Sequence, residues 1–312
     1  MDRRQFLGVA AAATIAGSIP AFGDGAGAEP SALKPMALGL IINPFGDPEK
    51  IIGRVRELGL SNCFLSLDSY LGGGLTEKLA DQFKELLAKN QVVATTVEVV
   101  GPAPLVWDFK QGPATIGLVP EKTRAARIDA LRQASDFAKM LGIEQVQTHC
   151  GFIPEDPADP KYEPAVDAIR AVARHCQAND QYFLMETGQE TPTTVSRTIH
   201  DVAMPNLAVG LDTANLILYG KANPVDAVDI IGPHVRSVHA KDGRWPTDPY
   251  QLGEEVLIGQ GLVDFKAVFT RLHRIGYTGA VTIERETSGP QQIEDVKNEK
   301  TYLEGILREV MG

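Results

Sequence analysis

Cysteine is scarce in this chain, which contains only Cys63, Cys150 and Cys176. Three thiols are too few, and odd in number, for the disulfide framework that holds many small secreted domains together. We therefore expect buried free thiols and a fold that is stabilised by an apolar core.

Positive charge is also in short supply, since 30 Lys and Arg residues stand against 40 Asp and Glu residues and leave a net charge of −10. An acidic surface repels phosphate backbones, so we expect no nucleic-acid partner. A long apolar run is lacking as well, because the stretch that ends at Phe22 is short and broken by glycine. We expect no stable membrane anchor, and the sequence leaves open whether the chain forms a homo-oligomer.

The first 28 residues are typical of an export signal rather than of a folded domain. Arg3-Arg4-Gln5-Phe6-Leu7 is a twin-arginine pattern, and Ala26-Gly27-Ala28 supplies the small residues that a signal peptidase accepts. We predict a twin-arginine (Tat) signal peptide over residues 1–28, a short linker over 29–35 and a periplasmic or secreted mature protein. A disordered N-terminus that stays attached is the alternative.

From Met36 onward, short apolar segments alternate with longer segments of helical periodicity. The sequence predicts strands over 36–44, 62–68, 92–100, 143–151, 181–188, 207–215, 235–242 and 279–286. Between the strands, apolar residues recur about every 3.6 residues, which predicts helices, as over 76–90. Eight such units predict an α/β fold, a single-domain (β/α)8 TIM barrel over residues 36–312. An open doubly wound sheet would also alternate, but it rarely needs eight units.

Four consecutive predicted strands end in a side chain that can bind a metal: Glu186, Asp212, His239 and Glu284. In a (β/α)8 barrel, the C-terminal ends of the strands converge on one mouth, where the active sites of this fold lie. Three carboxylates and one imidazole suit a divalent cation, for which Mn²⁺ is our expectation and Mg²⁺, Co²⁺ or Zn²⁺ are alternatives. A carboxylate at a strand end can equally cap the next helix, but four in succession favour the metal site.

Four further residues are candidate substrate contacts: His149, Lys241, Trp107 and Glu286. His149 ends the fourth strand, Lys241 shares a strand face with a proposed ligand, and Trp107 lies on the loop after the third strand. Each has an alternative role. His149 could be a core histidine and Trp107 could simply pack, whereas Lys241 could neutralise the carboxylate-rich mouth and Glu286 could hold a ligand in place.

These segments resemble the xylose isomerase-like TIM-barrel superfamily, the sugar phosphate isomerase/epimerase group. The matching pieces are Met185–Thr187, Leu211–Asn215, His239–Asp242, Gly259–Phe265 and Ile283–Glu286. The resemblance covers essentially all of the chain after the predicted signal. In the sugar epimerases of this family the matching Glu, Asp, His and Glu bind one divalent metal. The resemblance also implies that Glu186 and Glu284 flank the substrate carbon as an acid/base pair.

The expected function is that of a metal-dependent sugar isomerase or epimerase that acts on a small carbohydrate. The metal stabilises an enediolate while one glutamate removes the proton beside the carbonyl and the other returns it. Return to the same carbon gives an epimerase, and return to the neighbouring carbon gives an isomerase. Two alternatives stay open: a lyase or hydratase that acts on keto-glycosides, and a non-catalytic sugar-binding barrel.

The chain departs from the family at Asn215, where related epimerases and endonucleases often carry a histidine. DNA-repair endonucleases of this superfamily need additional histidines to hold three zinc ions. This chain has six histidines, and three of them, His175, His200 and His273, fall in predicted helices. We therefore expect no trinuclear site.

Overall fold

A computed structural model describes residues 33–312. The predicted signal peptide therefore lies outside the described residues. Residues 33–312 form a closed barrel of parallel strands surrounded by helices, which confirms the single-domain TIM barrel. None of the helices in this range is long and apolar enough to cross a membrane.

Eight strands build the barrel. They are β1 (Leu38–Ile42), β2 (Asn62–Ser66), β3 (Val93–Glu98), β4 (Gln145–Thr148), β5 (Tyr182–Glu186), β6 (Leu207–Asp212), β7 (Val235–Ala240) and β10 (Val281–Ile283). Neighbours in this order pair in parallel, and β10 closes the barrel by pairing with β1. Two short strands, β8 (Asp242–Gly243) and β9 (Glu255–Val256), form an antiparallel pair in the loop that follows β7.

The helices lie between the strands. They are α1 (Pro48–Glu57), α2 (Glu77–Asn90), α3 (Gly112–Thr115), α4 (Glu121–Leu141), α5 (Tyr162–Ala178), α6 (Pro192–Val202), α7 (Asn215–Leu218), α8 (Pro224–Ile231), α9 (Phe265–Arg274) and α10 (Gly289–Met311). Side-chain caps explain where α1 and α9 begin. The Asp47 side chain accepts a hydrogen bond from the Lys50 N–H, and the Asp264 side chain accepts one from the Ala267 N–H.

Strand alternation separates the apolar core from the barrel interior. On β7, Val238 and Ala240 belong to the core that packs against the helices, whereas His239 points the other way, into the barrel. On β6, Val209 and Leu211 belong to the same core. Apolar residues therefore face the helices on these strands, and the polar ones are left for the mouth.

One inward glycine makes room for a polar side chain beside the mouth. A Cβ atom on Gly210 would lie 2.1 Å from Oε1 of Gln147, so a larger residue on β6 at this height would displace the Gln147 carboxamide. The Gln147 amide nitrogen in turn donates to Oε2 of Glu186 at 3.0 Å. This packing holds the Glu186 carboxylate at the end of β5.

The structure differs from the sequence prediction in several places, and β3, for example, ends at Glu98 instead of continuing to residue 100. The last barrel strand ends at Ile283 instead of continuing to residue 286, so Glu284 and Glu286 lie just beyond it. The short helices α3 and α7 were not predicted, and neither was the β8–β9 pair. Elements of two to four residues are too short for a periodic pattern to show.

The cysteines are Cys63, Cys150 and Cys176, and all three are buried free thiols, as expected. Burial raises the pKa of Cys63 and of Cys176 to about 12. Thiols with such pKa values carry almost no thiolate at neutral pH, so they are packing residues rather than nucleophiles.

Candidate functional site

Glu186, Asp212, His239 and Glu284 converge at the C-terminal mouth of the barrel. Glu186 and Asp212 are the last residues of β5 and β6, His239 is on β7, and Glu284 follows β10 directly. One ligand atom from each of the four lies within 4.8 Å of the others. The parallel register places them at one height, because Asp212 is paired with His239 and His239 with Thr282.

The imidazole of His239 is central to this group. Its Nδ1 atom lies 2.8 Å from Oε2 of Glu284, 3.3 Å from Oε1 of Glu186 and 3.9 Å from Oδ2 of Asp212. The 2.8 Å approach does not have the angle of a hydrogen bond. Nδ1 therefore has no hydrogen-bond partner among the described residues, and neither do Glu284 Oε2 and Asp212 Oδ2.

Unpartnered buried polar atoms are costly, so their occurrence in a cluster requires an explanation. Here each unpartnered atom belongs to a ligand type that divalent cations accept, a carboxylate oxygen or an imidazole nitrogen. Carboxylates held this close together also repel one another unless positive charge lies between them. The donor set and its geometry therefore fit a divalent cation.

The site separates the pKa values of its carboxyl groups. Burial raises the pKa of Asp212 well above its ordinary value, and the nearby Lys241 ammonium offsets this only in part. Burial also raises the pKa of Glu284, but the Lys241 charge and the contact with His239 outweigh it and hold that pKa well below its usual range. At Glu186, burial raises the pKa, but the charges of His149 and His239 outweigh burial and lower that pKa to about 2. Both glutamates are thus ionised and able to accept a proton.

Lys241 lies beside these ligands at the end of β7. Its ammonium donates to Oε1 of Glu284 at 3.1 Å, to Oδ1 of Asn215 at 3.4 Å and to Glu286. Burial lowers the pKa of Lys241, but Glu284, Asp212 and Glu286 outweigh it and raise that pKa well above its ordinary value. The side chain therefore remains an ammonium and does not act as an amine nucleophile.

His149 and Trp107 lie on the opposite wall. His149 Nε2 is 3.2 Å from Oε2 of Glu186, and its Nδ1 contacts the Gln189 carboxamide, 3.2 Å from the nitrogen and 3.4 Å from the oxygen. The Trp107 ring meets the His149 ring edge-on, with 4.9 Å between centroids. Trp107 is 42% exposed, which leaves part of the indole ring open at the rim.

A cavity of about 420 Å³ joins these groups. Its lining includes all four predicted substrate contacts and the proposed ligand Glu284. The apolar lining comes from Ile41 on β1 and from the loops after β3, β6 and β7. The lining residues are Ile41, Ser66, Asp68, Glu98, Val100, Leu105, Trp107, His149, Asn215, Leu218, Tyr219, Lys241, Leu252, Gly253, Glu255, Glu284 and Glu286. The volume falls in the range of pockets that enclose small molecules.

Sequence reasoning missed Glu98. It is the last residue of β3, only 6% exposed, and one of its oxygens lies with ligand atoms of His149 and Glu186 in a second group whose members are within 4.8 Å of one another. Burial and the charge of Glu186 raise the pKa of Glu98 well above its ordinary value. Glu98 lies at a strand end, like the four candidate ligands, but the apolar run continues through Val99 and Val100, so the sequence does not reveal where the strand ends.

Two buried polar residues hold the loops of the mouth, and the sequence indicated neither. Asp242 accepts hydrogen bonds from the backbone N–H groups of Gly259, Gly261 and Val263, all at 2.9–3.1 Å. A Cβ atom on Gly261 would lie 2.1 Å from Oδ1 of Asp242, which explains the glycine. Arg127, on α4, donates to carbonyl groups at both ends of the loop that carries Trp107.

Comparison with known proteins places the chain in context. The sequence profile of the family described as Xylose isomerase-like TIM barrel matches residues 52–308. A xylose isomerase domain protein from Planctomyces limnophilus superimposes with a TM-score of 0.83 at 29% identity, over 89% of this chain and 99% of that protein. A D-psicose 3-epimerase, solved in the presence of D-fructose, superimposes with a TM-score of 0.64 at 17% identity, over 89% and 100%. At that identity the second similarity shows the fold alone.

Curated relatives also match in sequence, and two of them show how far the similarity extends. An uncharacterized protein of Methanocaldococcus jannaschii is 26% identical over 223 residues, which cover 68% of this chain and 70% of the relative. The inosose dehydratase of Geobacillus kaustophilus is 26% identical over 144 residues, which cover 41% of this chain and 46% of that enzyme. The second match thus spans less than half of either protein.

Proposed function

The chain belongs to the xylose isomerase-like TIM barrel family, and on that premise we propose that it is a divalent-metal-dependent sugar isomerase or epimerase. The observation that carries the proposal is the convergence of Glu186, Asp212, His239 and Glu284 on one point. Three of them have unpartnered ligand atoms, and Glu284 also lines a substrate-sized cavity. A D-psicose 3-epimerase has the same fold, so the scaffold is compatible with this chemistry.

These four residues would hold the metal, with Mn²⁺ as the proposed ion and Mg²⁺, Co²⁺ or Zn²⁺ as alternatives. A cation bound there would supply Lewis-acid chemistry, polarising the substrate carbonyl and offsetting the negative charge that develops on the sugar. All other steps fall to side chains of the barrel.

Glu186 and Glu284 are the proposed acid/base pair. Their carboxylates approach His239 from different strands, and both are ionised, so one can remove the proton beside the carbonyl. The other first takes up a proton from solvent and then gives it to the enediolate from the opposite face, which inverts the carbon. Return to the neighbouring carbon would interconvert an aldose and a ketose. Lys241 keeps Glu284 oriented and ionised through its 3.1 Å contact.

The remaining polar groups of the mouth would bind the sugar. His149 Nε2 and the Glu286 carboxylate face the cavity from opposite walls, and each can contact a substrate hydroxyl or carbonyl oxygen. Trp107 offers an indole ring at the rim against which one face of a sugar can pack.

A lyase or hydratase is the second candidate, and the partial similarity to an inosose dehydratase favours it. The same proton removal beside a carbonyl can expel a leaving group from the next carbon, either water or, on a keto-glycoside, an aglycone. Both reactions need the same residues up to the point where the proton has left the substrate.

Incubation of the Mn²⁺-loaded protein with ketoses and keto-glycosides in deuterated water tests both candidates. Incorporation of deuterium at carbon without loss of a fragment supports isomerisation or epimerisation. Release of water or of an aglycone supports the lyase. Absence of exchange with every carbonyl sugar contradicts both, and a Glu284→Gln protein that still exchanges at the unmodified rate removes Glu284 from the mechanism.

Export through the twin-arginine pathway is a separate part of the proposal. It is supported by Arg3-Arg4 and by the small residues at Ala26–Ala28. An enzyme that uses this pathway would fold, and acquire its metal, before it leaves the cytoplasm.

A further inference from the structure

Glu284 differs from the other three proposed metal ligands in how the barrel holds it. Glu186 and Asp212 are the last residues of β5 and β6, and His239 lies within β7, so the parallel ladder fixes the backbone of all three. Strand β10 ends at Ile283, one residue before Glu284. The position of this ligand therefore depends on contacts that are not part of the strand ladder.

The segment 284–286 is held by side chains from outside the barrel. The Glu286 N–H donates to Oε1 of Glu255, on β9, at 3.2 Å. The Arg285 carbonyl accepts a hydrogen bond from Nε2 of Gln292, on α10, at 2.8 Å. The backbone that follows Glu284 is thus attached to one element on each side.

The Arg285 side chain joins the same two elements. Glu284 and Glu286 line the cavity, whereas the guanidinium of Arg285 contacts β9 and α10. Its Nη1 lies 2.8 Å from Oε1 of Glu255, and its Nε donates to Oδ2 of Asp295, on α10, at 2.9 Å. Oε1 of Glu255 therefore contacts both the Arg285 guanidinium and the Glu286 N–H.

Glu255 belongs to the loop after β7, residues 243–262, which forms part of the cavity wall. Leu252, Gly253 and Glu255 of this loop line the cavity. The Gly253 N–H donates to the Leu218 carbonyl at 2.8 Å, which attaches the loop to the segment after β6. The contact between Glu255 and Arg285 joins the same wall to the segment that carries Glu284.

The contact between Glu255 and Arg285 is buried enough for its loss to matter. Both side chains are 12% exposed, and that of Asp295 is 3% exposed. The planar guanidinium binds its two carboxylate partners in fixed directions, which a flexible ammonium would not do. Without Arg285, the Glu255 carboxylate would be a partly buried charge without a cation. If it turned towards water, its Oε1 would leave the Glu286 N–H.

We propose that Arg285 and Glu255 are positioning residues, which hold the segment 284–286 and the loop after β7 in one arrangement and thereby set the affinity of the metal site. Neither side chain binds the metal, and both act through the backbone on either side of Glu284. Groups that orient a metal ligand in this way typically change the metal affinity by about 10–100-fold. The effect on metal affinity rests on the proposed function, whereas the attachment of the loop does not.

The effect on metal affinity is tested by a double-mutant cycle, with Mn²⁺ titrated into metal-stripped protein in a calorimeter. Arg285→Gln and Glu255→Ala should each raise the Kd by about tenfold or more. The double variant should bind about as tightly as the weaker single variant, because both changes remove the same contact. Arg271→Gln is the matched control, since it breaks a 3.0 Å pair with Asp229 between α8 and α9 and should leave the Kd unchanged.

Circular dichroism establishes that each variant is folded, and Glu255→Ala decides alone if Arg285→Gln is not. An unchanged Kd in a folded single variant overturns the proposal. Effects that simply add in the double variant overturn it as well, since the two residues would then act independently.

The attachment of the loop is tested by hydrogen exchange in metal-free protein. The amide hydrogens of Glu286 and of residues 243–258 should exchange about tenfold faster in both single variants. Residues 259–263 serve as an internal control, because the Asp242 carboxylate binds three of their N–H groups and should keep their exchange slow. Exchange of the loop at the unmodified rate overturns the proposal. If the unmodified protein binds no divalent cation, the proposed function fails, and the exchange rates alone decide whether the pair positions the loop.

Discussion

The Nζ atom of Lys241 lies 3.1 Å from Oε1 of Glu284, and the barrel encloses both side chains, which are 2% and 15% exposed. This ammonium also contacts Glu286 and Asn215. It is the one lysine that lines the cavity in the described part of the chain. Lys241 therefore offsets part of the negative charge at the mouth and keeps Glu284 ionised.

Removal of the Lys241 charge should destabilise the folded protein. In Lys241→Gln, the carboxylate of Glu284 stays buried without its cation, so the free energy of unfolding should fall by about 3 kcal/mol, which is typical of breaking a buried pair. Lys266→Gln is the matched control, because Lys266 and Glu309 form an exposed pair at 2.8 Å, and the loss of such a pair should change the stability little. Urea unfolding measures both. Equal losses in the two variants would show that Lys241 has no special electrostatic role.

A divalent metal should stabilise the folded protein. A ligand that binds only the folded state adds about 2.7 kcal/mol when it is present at a hundred times its dissociation constant. Chelation should therefore lower the melting temperature, and Mn²⁺ should restore it. In Asp212→Asn the metal response should shrink, while the cap to the Asn215 N–H, 2.7 Å from Oδ1, is retained. A metal response that is unchanged in Asp212→Asn would place the cation elsewhere.

The convergence of the four proposed ligand residues could be predicted because strand geometry leaves them little freedom. Glu186, Asp212 and His239 sit at or next to the end of a barrel strand, and alternation decides which way each one faces. Glu98 has the same placement, but two valines follow it and extend the apparent strand. The strand end was therefore predicted two residues too late, and the carboxylate was read as an interior position.

The loops could not be predicted in the same way. Asp242 and Gly259 are 17 residues apart and meet only in the folded protein, where the carboxylate binds the backbone N–H. Arg127 looks like an ordinary polar position of α4, yet it is 1% exposed. Contacts of this kind depend on tertiary structure, and the local periodicity of the sequence does not predict them.

Export should depend on the arginine pair at the N-terminus. Changing Arg3 and Arg4 together to lysine keeps the positive charge but removes the twin-arginine pattern. The protein should then stay in the cytoplasm at full length, whereas the unmodified chain should appear outside it and begin near residue 29. Cell fractionation and N-terminal sequencing measure both. Secretion of the double-lysine variant at the unmodified level would contradict the predicted pathway.

Glu190 should make stability depend on pH. Burial raises its pKa from 4.5 to about 8. Between these values the folded protein keeps the proton, whereas the unfolded chain loses it. The folded state thus binds more protons, and the contribution of Glu190 to the free energy of unfolding falls as the pH rises through this window.

The expected slope is about 1.4 kcal/mol per pH unit. Urea unfolding at about pH 5.5 and pH 7.5 should show a larger loss of stability in the unmodified protein than in Glu190→Gln, by about 2–3 kcal/mol. Glu254→Gln, at an exposed position, should keep the slope of the unmodified protein. Parallel pH profiles for the unmodified protein and Glu190→Gln would show that Glu190 titrates normally.

Arg127 should control how well the loop after β3 is ordered over the mouth. Its guanidinium donates to the carbonyl oxygens of Gly117 at 2.8 Å and Pro104 at 2.9 Å, and also to that of Thr115. Arg127→Met fills a similar volume but leaves these carbonyl groups without donors, which should cost about 3 kcal/mol of stability in total. The loop should also exchange amide hydrogens faster.

Substrate binding should weaken in the same variant, because Trp107 is carried between the anchored ends of this loop. The Michaelis constant should rise more than the turnover number falls, since the metal ligands lie on other strands. Arg132→Met is the control, because Arg132 is half exposed and its contact with Asp129 is 3.5 Å long. Hydrogen exchange over residues 102–117 and steady-state kinetics separate the two effects. If the amide hydrogens of this loop exchange as slowly in Arg127→Met as in the unmodified protein, the guanidinium does not order the loop.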